Sequence, residues 1–120
     1  MYRFLFLILI LCLIACNKKT SIKFNNTVHN FDTIYPIEEP KVYFTYKNIG
    51  KNKLIIDSIT HSCGCTIPVY NDTPLKPMNI DSIQVEYDSK QNKGHFVKEI
   101  MVYSNAEESP HKIFIKGFSL

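Results

Sequence analysis

From residue 22 to residue 118 the apolar residues fall on alternate positions, in runs too short for helices. Residues 41–48 set Val42, Phe44 and Tyr46 on one face and Tyr43, Thr45 and Lys47 on the other, the period of a half-buried strand. Residues 81–87 repeat the pattern with Ile83, Val85 and Tyr87. Shorter β-rich runs cover 22–24, 31–35, 53–60, 66–70, 96–103 and 112–118. Turn residues separate them. Asn48-Ile49-Gly50-Lys51-Asn52 is a turn in which Gly50 is free to take a positive φ. Residues 71–77 carry Pro74 and Pro77, which cannot donate to a ladder. Residues 88–94 read as a polar hairpin connection. There is no repeat, low-complexity tract or amphipathic helix. Strands at this spacing predict an all-β, immunoglobulin-like β-sandwich of about seven strands.

Composition narrows the function classes. A length of 120 residues implies one domain, and 45% hydrophobic against 21% charged residues excludes wholesale disorder. A net charge of +3 is too weak and too scattered for a nucleic-acid binder. Seven Tyr and eight Phe are expected to fill the sandwich core.

The N-terminus points to the cell envelope. Arg3 precedes an apolar run from Phe4 to Cys16. A helix of that length spans roughly 20 Å, short of the roughly 30 Å hydrocarbon core, so residues 1–15 are expected to be a signal peptide. Leu13-Ile14-Ala15-Cys16 resembles a bacterial lipobox. The resemblance implies cleavage after Ala15, a diacylglyceryl thioether on Cys16 and attachment to the membrane through lipid. Residues 16–21 are then the lipidated cysteine and its tether, and residues 22–120 the domain. No acidic residue follows Cys16 in Asn17-Lys18-Lys19-Thr20-Ser21, which suggests an outer-membrane lipoprotein facing the periplasm, with envelope proteins as partners.

One cluster could carry chemistry: His61-Ser62-Cys63-Gly64-Cys65-Thr66. In an extended segment, positions 61, 63 and 65 share a face, and one imidazole with two thiols is a soft donor set suited to Cu(I) or Zn(II). Gly64 also permits a tight turn that closes Cys63 and Cys65 into a disulfide, either a structural staple or a redox pair. With Cys12 in the removed segment and Cys16 acylated, these two are the cysteines left to pair. A closed zinc site wants four ligands, so metal is the weaker alternative and no cofactor is expected. His29, His95 and His111 are expected to be solvated, and Asp57, Asp81 and Asp88 to cap or solvate turns. No nucleophile elbow, phosphate-binding glycine loop, HExxH run or calcium loop is present, so an enzyme is not expected.

The chain resembles the bacterial domain of unknown function 1573, a family common among Bacteroidetes lipoproteins. The resemblance runs through His29-Asn30-Phe31-Asp32-Thr33-Ile34, then Phe44-Thr45-Tyr46-Lys47-Asn48-Ile49-Gly50 with Leu54 and Ile56. It continues in Ser62-Cys63-Gly64-Cys65-Thr66-Ile67-Pro68, Pro74-Leu75-Lys76-Pro77, and Ile83 to Asp88. Gly94, Phe96, Lys98, Ile100, Val102, Ser104, Asn105 and Ile115-Lys116-Gly117 complete it. Asp32 and Met78 stand where the family usually has Gly. The resemblance implies an immunoglobulin-like sandwich in the style of motile-sperm-protein and cilia-associated domains, which are mostly binding or scaffolding modules. It assigns no activity and leaves the role of Cys63 and Cys65 open.

Overall fold

A computed structural model describes residues 2–4, 18–90 and 92–120. The expected signal-peptide run beyond Phe4, the cleavage position and Cys16 lie outside the described residues. Among the described residues no helix is long and apolar enough to cross a membrane.

Among the described residues eight strands follow in order: β1 Ile22–Phe24, β2 Val28–Ile34, β3 Lys41–Asn48, β4 Ile56–His61, β5 Thr66–Val69, β6 Ile80–Tyr87, β7 Gly94–Ser104 and β8 His111–Ser119. They form two four-stranded sheets, ordered β1-β3-β6-β5 and β2-β8-β7-β4. The β2–β8 pair is parallel and the other pairs are antiparallel. The expected all-β sandwich is therefore the fold.

Alternation on the central strands makes the core. Ile83 and Val85 of β6, Ile100 and Val102 of β7, and Ile113 and Ile115 of β8 are fully buried. Each such side chain contributes about 1.5–3 kcal/mol on burial. Tyr87 of the first sheet stacks on Phe96 of the second, centroids 3.9 Å apart, tying the sheets together across the core.

Three local expectations are corrected. Residues 88–94 are not a hairpin, because β6 and β7 belong to different sheets and the segment crosses between them. Gly50 does not take a positive φ; among the described glycines Gly94 does, at 93°. The run expected at 53–60 splits. Leu54, 1% exposed, bridges to Leu75 in the 71–77 loop through reciprocal backbone bonds of 2.8 and 2.9 Å, and β4 proper starts at Ile56.

Asp32 and Met78 have φ of 57° and 70°. The family resemblance implies Gly at both positions; here residues that adopt the left-handed backbone at a cost hold it. At Asp32 the β2–β8 register shifts, and the amide N–H donates to Asn30 Oδ1 at 2.9 Å. Gly117 lets this bulge close: a Cβ there would lie 3.0 Å from the Asp32 carbonyl oxygen.

Candidate functional site

The two ends of the sandwich gather the polar chemistry. At the N-terminal pole, Asn48 ends β3 with no exposed surface. Its Oδ1 accepts from the Thr20 hydroxyl (2.7 Å) and the Gly50 N–H (3.1 Å), and its Nδ2 donates to the carbonyls of Asn52 and Leu75 (both 2.8 Å). A buried side-chain amide offers two donors and an acceptor oxygen, and all are used. Asn105, just past β7, plays the same part. Its Oδ1 accepts from the Ile55 N–H (2.8 Å), and its Nδ2 donates to the carbonyls of Lys18 (2.9 Å) and Lys53 (2.8 Å).

Residues 18–21, which the sequence reading placed in a tether, are consequently part of the fold. Thr20 forms a parallel bridge with Ala106. Its N–H donates to the Asn105 carbonyl (3.2 Å), and its own carbonyl accepts from Glu107 (2.9 Å). The Ser21 carbonyl accepts from Ile49 (3.0 Å), and Asn52 Nδ2 donates to the Lys19 carbonyl (2.8 Å). Gly50 is needed for this approach: a Cβ there would overlap Thr20 Oγ1 and lie 2.5 Å from the Ser21 nitrogen.

The opposite end is the crossover pole, where the chain passes from β4 to β5. Here Cys63 and Cys65 are joined in a disulfide, Cα atoms 5.2 Å apart. The two sulfurs have unlike surroundings. Cys65 is 4% exposed and packs in the core, with the Thr66 hydroxyl 3.9 Å from its Sγ. Its carbonyl accepts the Asp88 N–H at 2.7 Å, fixing it to the end of β6. Cys63 is only partly buried, between exposed Ser62 and Gly64. The Cys65 backbone N–H donates to Cys63 Sγ at 3.2 Å.

His61 does not join the sulfurs in a donor set. Its Nδ1 is 2.6 Å from the Cys63 carbonyl, which can only accept, so Nδ1 carries the proton and the ring braces the loop backbone. Sulfurs bonded to each other offer no thiolate, so a soft metal would require the reduced pair. Among the described residues no three His, Cys, Asp or Glu side chains are grouped to hold a metal ion.

Of the remaining histidines, His95 is exposed with its ring edge-on to Phe118, and His29 lies edge-on to Phe31. His111 departs from expectation: it is partly buried beside Phe24, and its Nδ1 has no hydrogen-bond partner. Asp88 caps a turn, its Oδ1 accepting the Lys90 N–H at 3.1 Å. Two tyrosines hold on to their protons. Burial, with Asp81 adding to it, pushes Tyr46 up to about 12; burial and then Asp88 push Tyr87 up. Sequence reasoning missed Asn48 and Asn105 as organising residues. For Asn48 the available signal was an asparagine at the last apolar-in position of a strand, two residues ahead of a glycine; Asn105 carries no such signal.

Comparisons with known proteins agree with this architecture. No curated protein matches the sequence. A crystal structure of a protein of unknown function from Porphyromonas gingivalis W83 is similar with a TM-score of 0.76 at 16% identity, covering 85% of this chain and 48% of that one. The chain thus spans about half the length of that relative. The PapD-like domain 7 of human CEP192 gives 0.71 at 11% identity, covering 86% and 87%. WR4, a C. elegans MSP family member, gives 0.53 at 9% identity, covering 84% and 99%. At such identities the likeness is one of fold. The sequence itself places the chain more closely: residues 22–119 match the family described as protein of unknown function (DUF1573), and the chain belongs to that family.

Proposed function

We propose that this chain is a non-enzymatic binding or scaffolding module of the cell envelope, held by lipid on Cys16 to the periplasmic face of the outer membrane. The observation that carries the binding role is the state of the four sheet edges. An unpaired edge can accept a partner strand. Of the four, β1 has three residues, β5 has four and contains Pro68, and β2 is broken by the bulge at Asp32. The edge at β4 has six residues and no proline; its register shift lies near its start, between Ile56 and Ser58, and from Ser58 to His61 the register is regular, with Ser58, Thr60 and His61 exposed. It is the edge best suited to a partner strand.

A photo-crosslinker at Thr60 in cells should capture a defined envelope neighbour that a crosslinker at Thr73, on the exposed 71–77 loop, does not. The Thr60→Pro variant should lose that neighbour while staying folded. Equal or absent capture at both positions would remove the β4-edge reading. Anchoring is checked separately: intact-mass analysis should find the thioether on Cys16, and Cys16→Ser should leave the protein out of the membrane fraction.

A second reading, thiol exchange with envelope proteins, is favoured by one observation. The disulfide lies on an exposed crossover and joins residues two apart, so it links no distant parts of the fold. Soft-metal handling by the reduced pair is the variant of this reading that cysteine chemistry also permits.

A further inference from the structure

We infer that exchange at this pair is directional: an incoming dithiol attacks Cys63, and Cys65 is the sulfur that leaves. The inference rests on the thiol-exchange reading and adds the order of events. Exchange requires a thiolate to approach a disulfide sulfur from the side away from its bonded partner, and access decides which sulfur is struck. For Cys63 that approach is through the loop surface. Ser62 and Gly64 are exposed, and apart from the two flanking cysteines no described atom lies within 4 Å of where a Gly64 side chain would begin. Cys65, 4% exposed and held to Asp88, is screened by the core.

The reaction then proceeds in two steps. A thiolate of the partner's dithiol bonds to Cys63 Sγ, the Cys63–Cys65 bond breaks, and its electron pair leaves on Cys65 Sγ. The Thr66 hydroxyl is the polar group beside that sulfur, and the thiolate takes up a proton. The partner's second thiolate attacks its own sulfur in the mixed disulfide and expels Cys63. The expelled sulfur is the one toward which the Cys65 N–H points, a contact that favours negative charge on it. The partner has lost two electrons and two protons; Cys63 and Cys65 have gained them. His61, through its bond to the Cys63 carbonyl, is a positioning residue for the loop.

Two measurements test this and separate its failure from that of the underlying reading. The first compares the single-thiol variants Cys65→Ser and Cys63→Ser in their reaction with 5,5′-dithiobis(2-nitrobenzoate), both native and in denaturant. Natively, the lone Cys63 thiol should react at least about ten-fold faster than the lone Cys65 thiol, the ratio expected of open against core-screened sulfur. In denaturant the two rates should converge. Equal native rates, or a faster Cys65, overturn the directional inference and leave thiol exchange standing. The second equilibrates the wild-type chain in reduced and oxidised glutathione. Reversible reduction with the fold retained, followed by circular dichroism, supports exchange. A pair that stays oxidised throughout, or whose reduction unfolds the domain, overturns the exchange reading and the direction with it.

Discussion

At the N-terminal pole two neutral amides draw together segments far apart in sequence: residues 18–21, the end of β3, the 50–54 turn, the 71–77 loop and the end of β7. At the crossover pole a covalent bond joins two residues separated by one glycine. The stronger bond does the smaller structural job. A disulfide stabilises mainly by removing chain freedom, and a loop of three residues has little to remove. A buried amide bonded to four groups stabilises because its own donors and acceptor, and partners such as the Thr20 hydroxyl and the Gly50 N–H, would otherwise lie unpaired in the interior. The contrast says that the polar ties between distant segments gather at one end, and on the proposed exchange reading the other end can react without loosening them.

Substitutions at each pole test the contrast directly. The largest effect is expected from Asn48→Ala, which strands the Thr20 hydroxyl and the Gly50 N–H and removes the amide donor from the Leu75 and Asn52 carbonyls; a loss of about 3–4 kcal/mol in urea unfolding follows from those lost bonds. Gly50→Ala should cost about 2–3 kcal/mol, because the new methyl group must displace Thr20 and Ser21. It should also raise hydrogen exchange at Thr20 and Glu107 while leaving the crossover pole unchanged. Replacing both Cys63 and Cys65 with Ala should cost only about 1–2 kcal/mol in the same assay. A loss equal to that of Asn48→Ala would reverse the comparison.

The smallest effect is a gain. Met78→Gly should stabilise the domain by about 0.5–1 kcal/mol by relieving a left-handed backbone at an exposed position. Asp32→Gly should gain less, since aspartate tolerates that conformation better. A thermal-unfolding comparison of the two variants checks the order.

Much of the fold was legible because period-two patterning is a local property. Val42, Phe44 and Tyr46, or Ile83, Val85 and Tyr87, announce their inward face whatever they pack against. Which sheet a strand joins is not local, so residues 88–94 read as a hairpin although β6 and β7 lie in different sheets. The N-terminal pole was hidden for the same reason. The reason for Gly50 lies 30 positions earlier, at Thr20, and Asn48-Ile49-Gly50 does not say which distant segment will press against it. At the cysteine cluster, sequence brought out all three residues but kept staple, redox pair and metal ligands open. Burial of Cys65 against exposure around Cys63 distinguishes the two sulfurs, and only packing creates that difference.

The bond from Asn105 to the Lys18 carbonyl has a consequence for reach. On the proposed anchor, Asn17 alone separates an acylated Cys16 from a residue already locked to the domain, about 3.5 Å of slack. A strand of eight residues, such as β6, spans about 25 Å from the N-terminal pole to the crossover pole. The protein is then a short post, not a float on a line. Its far end can rise no more than about 25 Å plus that slack above the lipid, and a soluble or membrane-held partner must present its strand or its dithiol within that layer.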